Sequence, residues 1–478
     1  MKRFRIVLAA VMAAVLLTGC AAKTVPPKVV TAGRTTSTSA VVTTTTESTA
    51  VSAETTTTSV ADATSTTVTT LTTGAASTKT TIPTTAKTTT TKKTTVTTVA
   101  IATTTTATKP TPPSRPSGDE LIGAWVSYIE IAELFSGCKT AAQAKAAMDS
   151  MLTVMTDNKI NTVFFHVRAN SDAYYDSKLF EPAAAVSKLI AAGFDPLAYL
   201  VEAAHKKGIE VHAWINPYRV GKQAAYLVGD TPTLSDAAGR YYYVPTAAAT
   251  QKLVLDGVRE IVGGYAVDGI HYDDYFYPRD TLEENTVYGF EAADYEAYKA
   301  DGGTLTVGNW RRAAVDSLVA ATHTITAAKD LTFGVSPAVN ADDTYKALFA
   351  DCRKWLAEAG YVDYLCPQIY TGFEHGGSPF DKMVDKWMAY PRDKSVKLYV
   401  GLALYKIGLK SDTYAGKGKT EWCENDDIMK RSVQYLRDKG VKGLCFYSYS
   451  FFEPTKKLGA EADVAVAERE IKNLKDCL

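Results

Sequence analysis

Eight short runs rich in β-branched and aromatic residues recur along the C-terminal part of this chain, and longer segments of helical periodicity separate them. The runs cover residues 121–127, 161–168, 210–217, 267–275, 331–338, 362–370, 397–405 and 443–450. Repeated βα units of this kind need a parallel sheet with helices packed against it, and eight of them close most simply into a (β/α)8 TIM barrel of the α/β class. Residues 119–478 exceed the ~250 residues of a bare barrel but suit one with insertions. The helices carry start signals: Asp195-Pro196 precedes Leu197, Leu200, Val201 and Ala204, with Asp placed to cap and Pro suited to the first turn. A second helix is expected over about 309–328.

In such a barrel the chemistry gathers where the strands end. The expected strand ends carry His166, Arg168 and Asn170, then Trp214, Asn216, Tyr218 and Arg219, then His271, Asp273, Asp274 and Tyr275. Gln368 and Tyr370, Tyr405, and finally Tyr447 and Tyr449 complete the series. Aromatic rings beside hydrogen-bonding groups suit a sugar, whose faces stack on rings while its hydroxyls need donors and acceptors. The adjacent carboxylates Asp273 and Asp274 are the leading catalytic candidates. Alternation along the strand groups His271, Asp273 and Tyr275 on one face, and Asp268, Tyr272 and Asp274 on the other. A structural role, with one Asp capping the loop and the other pairing with Arg168 or Arg219, is the competing explanation.

The N-terminal region cannot join this core. Lys2, Arg3 and Arg5 precede an apolar run that ends in Leu17-Thr18-Gly19-Cys20, a lipobox, so residues 1–20 read as a lipoprotein signal with Cys20 as the lipidation site. Residues 21–118 are dominated by Thr and nearly devoid of aromatics, which predicts a disordered tether with an r.m.s. span of ~50–60 Å. The expected location is extracytoplasmic, lipid-anchored to the cell membrane. Lys+Arg and Asp+Glu both number 52, and no basic cluster interleaves with aromatics, so no nucleic-acid surface is expected. Cys138, Cys352, Cys366, Cys423, Cys445 and Cys477 lack CxxC spacing, which argues against zinc and redox motifs. His166, His212 and His271 raise the alternative of a metal-dependent hydrolase, but no His-x-His pair or Cys/His cluster accompanies them, and neither metal nor cofactor is expected.

Several long motifs occur in order: Asn161 to Arg168, Phe194-Asp195-Pro196-Leu197, His212 to Arg219, Asp268 to Pro278, Asn309-Trp310-Arg311-Arg312, Phe333 to Pro337, Val362 to Tyr370, and Phe446 to Tyr449. At these residues the chain resembles the glycosyl hydrolase-like 10 family of bacterial surface proteins. The resemblance implies a barrel enzyme acting on cell-wall glycan, including peptidoglycan strands stripped of stem peptides. A weaker likeness links the fourth strand to chitinase-type family 18 hydrolases, but Tyr275 stands where their acid Glu stands, so that mechanism does not carry over intact. Two mechanisms follow. In one, Asp273 or Asp274 acts as acid or orients the substrate's own N-acetyl group, with Tyr370 positioning it; in the other, Glu374 supplies a second carboxylate. The seventh strand ends at Tyr405 with no carboxylate, which argues against a nucleophile there. The non-enzyme alternative is a glycan-binding surface protein on a barrel scaffold.

Overall fold

The computed structural model describes residues 120–478; the expected signal, Cys20 and the Thr-rich tether lie outside the described residues. The eight expected strands form: β1 (Leu121–Val126), β2 (Thr162–Arg168), β3 (Glu210–Ile215), β4 (Gly269–Tyr272), β5 (Thr332–Val335) and β8 (Gly443–Phe446) are continuous. β6 consists of Tyr364–Leu365 and Gln368–Ile369, and β7 of Lys397–Leu398 and Val400–Leu402. Pro367, with no N–H to donate, marks the break in β6.

All neighbours in the ring are parallel, and the registers close it. β1 pairs with β8 through Leu121 opposite Gly443, and with β2 through Gly123 opposite Thr162. The ladder runs on through β3, β4 and β5 to β6, where Tyr364 lies opposite both Gly334 and Lys397. Gln368 then pairs with Gly401 of β7, and Val400 with Leu444 of β8.

Two apolar layers result. The outer one lies between strands and helices, and includes the face of the helix Pro196–His205, whose Asp195 caps Leu197 and Ala198 as expected. The inner one fills the barrel with Trp125, Phe164, Trp214, Tyr364 and Tyr399. Rings this large fit only because glycines stand opposite them. A Cβ at Gly123 would lie 2.6 Å from the Phe164 ring, and one at Gly334 would enter the ring of Tyr364.

Insertions account for the extra length. After β3 the chain builds a small antiparallel sheet from Arg219–Gly221, Thr233–Ser235 and Tyr241–Tyr243. After β4 it makes an excursion of some 30 residues carrying the helix Ala292–Ala300, none of whose residues is buried. Tyr295 and Tyr298 of that helix pack on Trp310, and two arginines fasten the segment further. Arg311, on the helix Val307–Ala327 and fully buried, donates to both carboxylate oxygens of Glu291 and to the carbonyls of Glu283 (2.8 Å) and Thr286 (2.7 Å). Arg312 grips Glu284 and the Tyr345 carbonyl.

Removing one partner of a buried pair strands the other's charge. Arg311→Met is therefore expected to destabilise the fold by about 3–5 kcal/mol, read from urea midpoints at unchanged m-value.

Candidate functional site

β4 ends at Tyr272, and the next residue closes the strand with its own side chain: Asp273 Oδ1 accepts the Tyr275 N–H at 3.0 Å. The alternation expected for β4 holds as far as the strand does. His271 points into the barrel, while Tyr272 points out and shares a hydrogen bond with Thr322 on the outer helix. Asp273 keeps the inner face, 4 % exposed, with the Trp214 ring and Arg219 nearby. Asp274 leaves the alternation because the backbone has already turned. It faces Gln368 and Arg279, whose guanidinium is 3.6 Å away, instead of the outer helices. Both carboxyls thus reach the same end of the barrel.

Their environments differ. Burial first, and then the neighbouring Asp274 charge, pushes the Asp273 carboxyl well above the usual carboxylate range. Burial also raises Asp274, but Arg279, its own backbone N–H and Gln368 oppose the rise. The two carboxyls titrate as a pair, and the stronger upward push falls on Asp273.

Aromatic groups line the surroundings. Trp214 stacks on His166 with centroids 3.7 Å apart and planes 9° apart, and burial followed by the Arg219 charge keeps that imidazole neutral. Tyr370 stacks on Tyr447 at 5.7 Å and meets Tyr405 edge-on, and Gln368 is fixed by donating to the Ser336 carbonyl. The Arg219 guanidinium lies 4.8 Å from the Tyr275 ring centroid. Several polar atoms here are buried without a partner: His166 Nε2, Asn216 Oδ1, Arg219 Nε and the Trp214 indole N–H, which faces Asp273 outside hydrogen-bond geometry. Four such atoms around one cleft suit a ligand rich in hydroxyls.

Other expected contacts lie elsewhere. A bulge between His166 and Arg168 turns Arg168 outward, where it donates to the Pro217 carbonyl at 3.0 Å and covers the Phe180 ring. Tyr218 is wholly buried behind the site against Phe276, hydrogen-bonded to Gln251. His271 lies deep in the barrel between Trp125 and Tyr364, fully buried. Glu374 is exposed, and the backbone N–H groups of Phe373 and Glu374 donate to Glu421; none of its contacts joins it to the Asp pair. The six described cysteines are all free thiols.

Two buried carboxylates escaped the sequence reading. Asp172, 4 % exposed, accepts the Asn170 N–H beyond β2, and burial raises its pKa while Arg219 and its backbone contacts lower it. It sits at a strand end, where the rule that found Asp273 also applies. Glu130 completes a capping box with Ser127 and accepts from Ser448 and Ser450, lacing the end of β1 to that of β8. The Ser-x-x-Glu spacing was its signal.

A cavity of about 350 Å³ opens at the opposite end, among Glu210, Asp268, Asp330, Asp363 and Lys397. Its size does not make it the site. Asp268 accepts from Val211 N–H and pairs with His205, while Asp363 does the same with Phe333 and His323, so these acids fasten the strand starts.

A carboxyl whose folded pKa is raised contributes stability below its unfolded pKa and loses it as pH rises through the folded value. Asp273→Asn removes that loss. The variant is expected to exceed the wild type in stability by about 1–3 kcal/mol at pH 7, and the gap should close below about pH 4 in thermal or urea melts.

The family profile described as glycosyl hydrolase-like 10 matches residues 120–415, from β1 through β7. Glycosyl hydrolase DigH of Escherichia coli is 29% identical over 374 residues, covering 68% of this chain and 82% of that protein. Glycosyl hydrolase YngK of Bacillus subtilis is 30% identical over 317 residues, 60% of each. Among solved structures, the PgaB glycoside hydrolase domain from Bordetella bronchiseptica aligns with a TM-score of 0.47 at 11% identity, covering 75% of this chain and 98% of that one. With its profile matched over the segment that carries the paired carboxylates and the aromatic strand ends, this chain belongs to the glycosyl hydrolase-like 10 family.

Proposed function

We propose that this chain is a surface-anchored glycoside hydrolase that cleaves bacterial cell-wall glycan, with Asp273 as general acid. The observation that carries the reading is the buried Asp273, set beside Asp274 among aromatic rings at the barrel's C-terminal end, where burial raises its carboxyl well above the usual range. A carboxyl raised above its ordinary range keeps its proton to higher pH than a free one does, and a proton is what a leaving glycosidic oxygen needs.

In the reaction that suits this arrangement, the Asp273 proton passes to the glycosidic oxygen as the C1–O bond breaks and its electron pair moves to that oxygen. The acetamido carbonyl oxygen of the sugar attacks C1, which explains why no second carboxylate is needed as nucleophile. Asp274, tempered by Arg279 and Gln368, takes the anionic role of orienting the acetamido group, with the Tyr370 ring alongside. Water then opens the cyclic intermediate and returns a proton to Asp273. The stacked Trp214 and Tyr447 rings offer faces for pyranose units. Cell wall as the source of glycan, and anchoring through Cys20 on the Thr-rich tether, rest on the lipobox and composition of the N-terminal region.

The test incubates the purified chain with peptidoglycan glycan strands, with and without stem peptides, and follows new reducing ends by mass spectrometry. Asp273→Asn should lower the rate by about 10²–10⁴-fold while glycan binding persists. Wild-type kcat should fall as pH rises through the elevated Asp273 pKa, since the protonated form is the active one. Binding without any reducing ends would instead identify a glycan adhesin.

A further inference from the structure

Four arginines are buried among the described residues: Arg168, Arg219, Arg311 and Arg312. Arg311 and Arg312 are ion-paired with Glu291 and Glu284, and Arg168, whose Nε also lacks a partner, lies outside the barrel and donates to the Pro217 carbonyl. Arg219 is different. It is 9 % exposed, yet it makes no ion pair and no side-chain hydrogen bond among the described residues, and its Nε is buried without a partner. A guanidinium stays charged at any accessible pH, and an unpaired charge taken out of water costs several kcal/mol. Its only cover is the Tyr275 ring at 4.8 Å and the Tyr128 ring at 5.8 Å, which hold the planar fork from the sides without neutralising it. The two nearest acids do not neutralise it either. Asp273 and Asp172 lie beyond ion-pair distance, and burial raises both carboxyls above their ordinary range.

We infer that Arg219 is the receptor for a carboxylate borne by the substrate, so that this site selects an acidic glycan over a neutral one. The inference rests on the glycan reading of the cleft and adds a charge requirement to it. A carboxylate matches the guanidinium fork with two parallel hydrogen bonds, which neutral hydroxyls do not. Arg219 opens the small antiparallel sheet just beyond β3, near Asp273 and Trp214, so a sugar bound near Asp273 brings its own acidic substituent within reach. Two kinds of sugar supply that group: one with a lactyl ether whose acid is not amide-linked to peptide, and a uronic acid.

The experiment titrates the full-length chain calorimetrically with four glycans: cell-wall strands freed of stem peptide, the same strands with carboxylates capped as methylamides, a glucuronate-containing N-acetylglucosamine oligosaccharide, and neutral chitin oligosaccharides. Free strands should bind at least about tenfold tighter than capped strands or chitin, the scale of a charge-assisted hydrogen bond, and the preference should shrink with added salt. Arg219→Gln should bring the free-to-capped ratio toward one, with Arg219→Lys between, and melting curves report whether each variant is folded. Tight binding of the glucuronate oligosaccharide assigns the site to sugar acids in general, and its weak binding assigns it to the lactyl ether. Equal affinity of the wild type for free and capped strands, no binding to any glycan, or a ratio that survives in folded Arg219→Gln would overturn the inference. Because affinity is read without turnover, a chain that prefers free carboxylates but releases no reducing ends refutes only the hydrolase reading.

Discussion

The hydroxyl of Tyr364 sits near the middle of the barrel, and the floor of the cleft depends on how it is satisfied. It lies 2.9 Å from His271 Nδ1 and 3.1 Å from His212 Nδ1, and the indole N–H of Trp125 donates to His271 Nε2 at 3.2 Å. The chain of donors has one consistent direction. Since His271 Nε2 accepts, its Nδ1 carries the proton and donates to the Tyr364 oxygen, which leaves the Tyr364 proton for His212 Nδ1. Burial, and then His212, keeps His271 far below the usual imidazole range, so that ring is neutral. A neutral imidazole with both nitrogens hydrogen-bonded can occupy a barrel centre that an ionised one could not.

That floor fixes what stands above it. His271 and Asp273 are two residues apart on β4, so anchoring the imidazole sets where the carboxyl emerges. The same economy appears at the ring's seam, where Glu130 gathers Ser127, Ser448 and Ser450 and holds the ends of β1 and β8 together. By contrast, the cleft itself is left unsatisfied: His166 Nε2, Asn216 Oδ1, Arg219 Nε and the Trp214 N–H are buried without partners. Open polar atoms at the strand ends store binding capacity there at a cost to the protein's own stability.

Much of this was legible along the chain. All eight strands appear within the expected runs, and the helix expected over 309–328 spans Val307–Ala327, because hydrophobic period and capping are local properties. The Asp273–Asp274 pair was legible because alternation and the strand-end rule both pointed to it. Arg168 misled for a physical reason: a single bulge in β2 reverses which face it occupies, and no composition signal announces a bulge. Tyr218 and Glu374 misled because a strand end can continue behind the barrel or along its rim, which depends on loop packing.

The sequence by itself determined the barrel, its strand ends and the presence of paired acids, since periodicity and turn chemistry are written in neighbouring residues. The expectation of a signal and tether in the N-terminal region rests on the lipobox and composition and lies outside the described residues. Only the tertiary structure decided which groups meet. It gave Asp273 the deeper burial and Asp274 the guanidinium of Arg279, turned Arg168 outward, brought Asp172 near Arg219, and left Arg219 buried with no carboxylate in contact. Burial and Coulomb coupling arise between residues far apart in the chain, and they acquire values only when the ring closes.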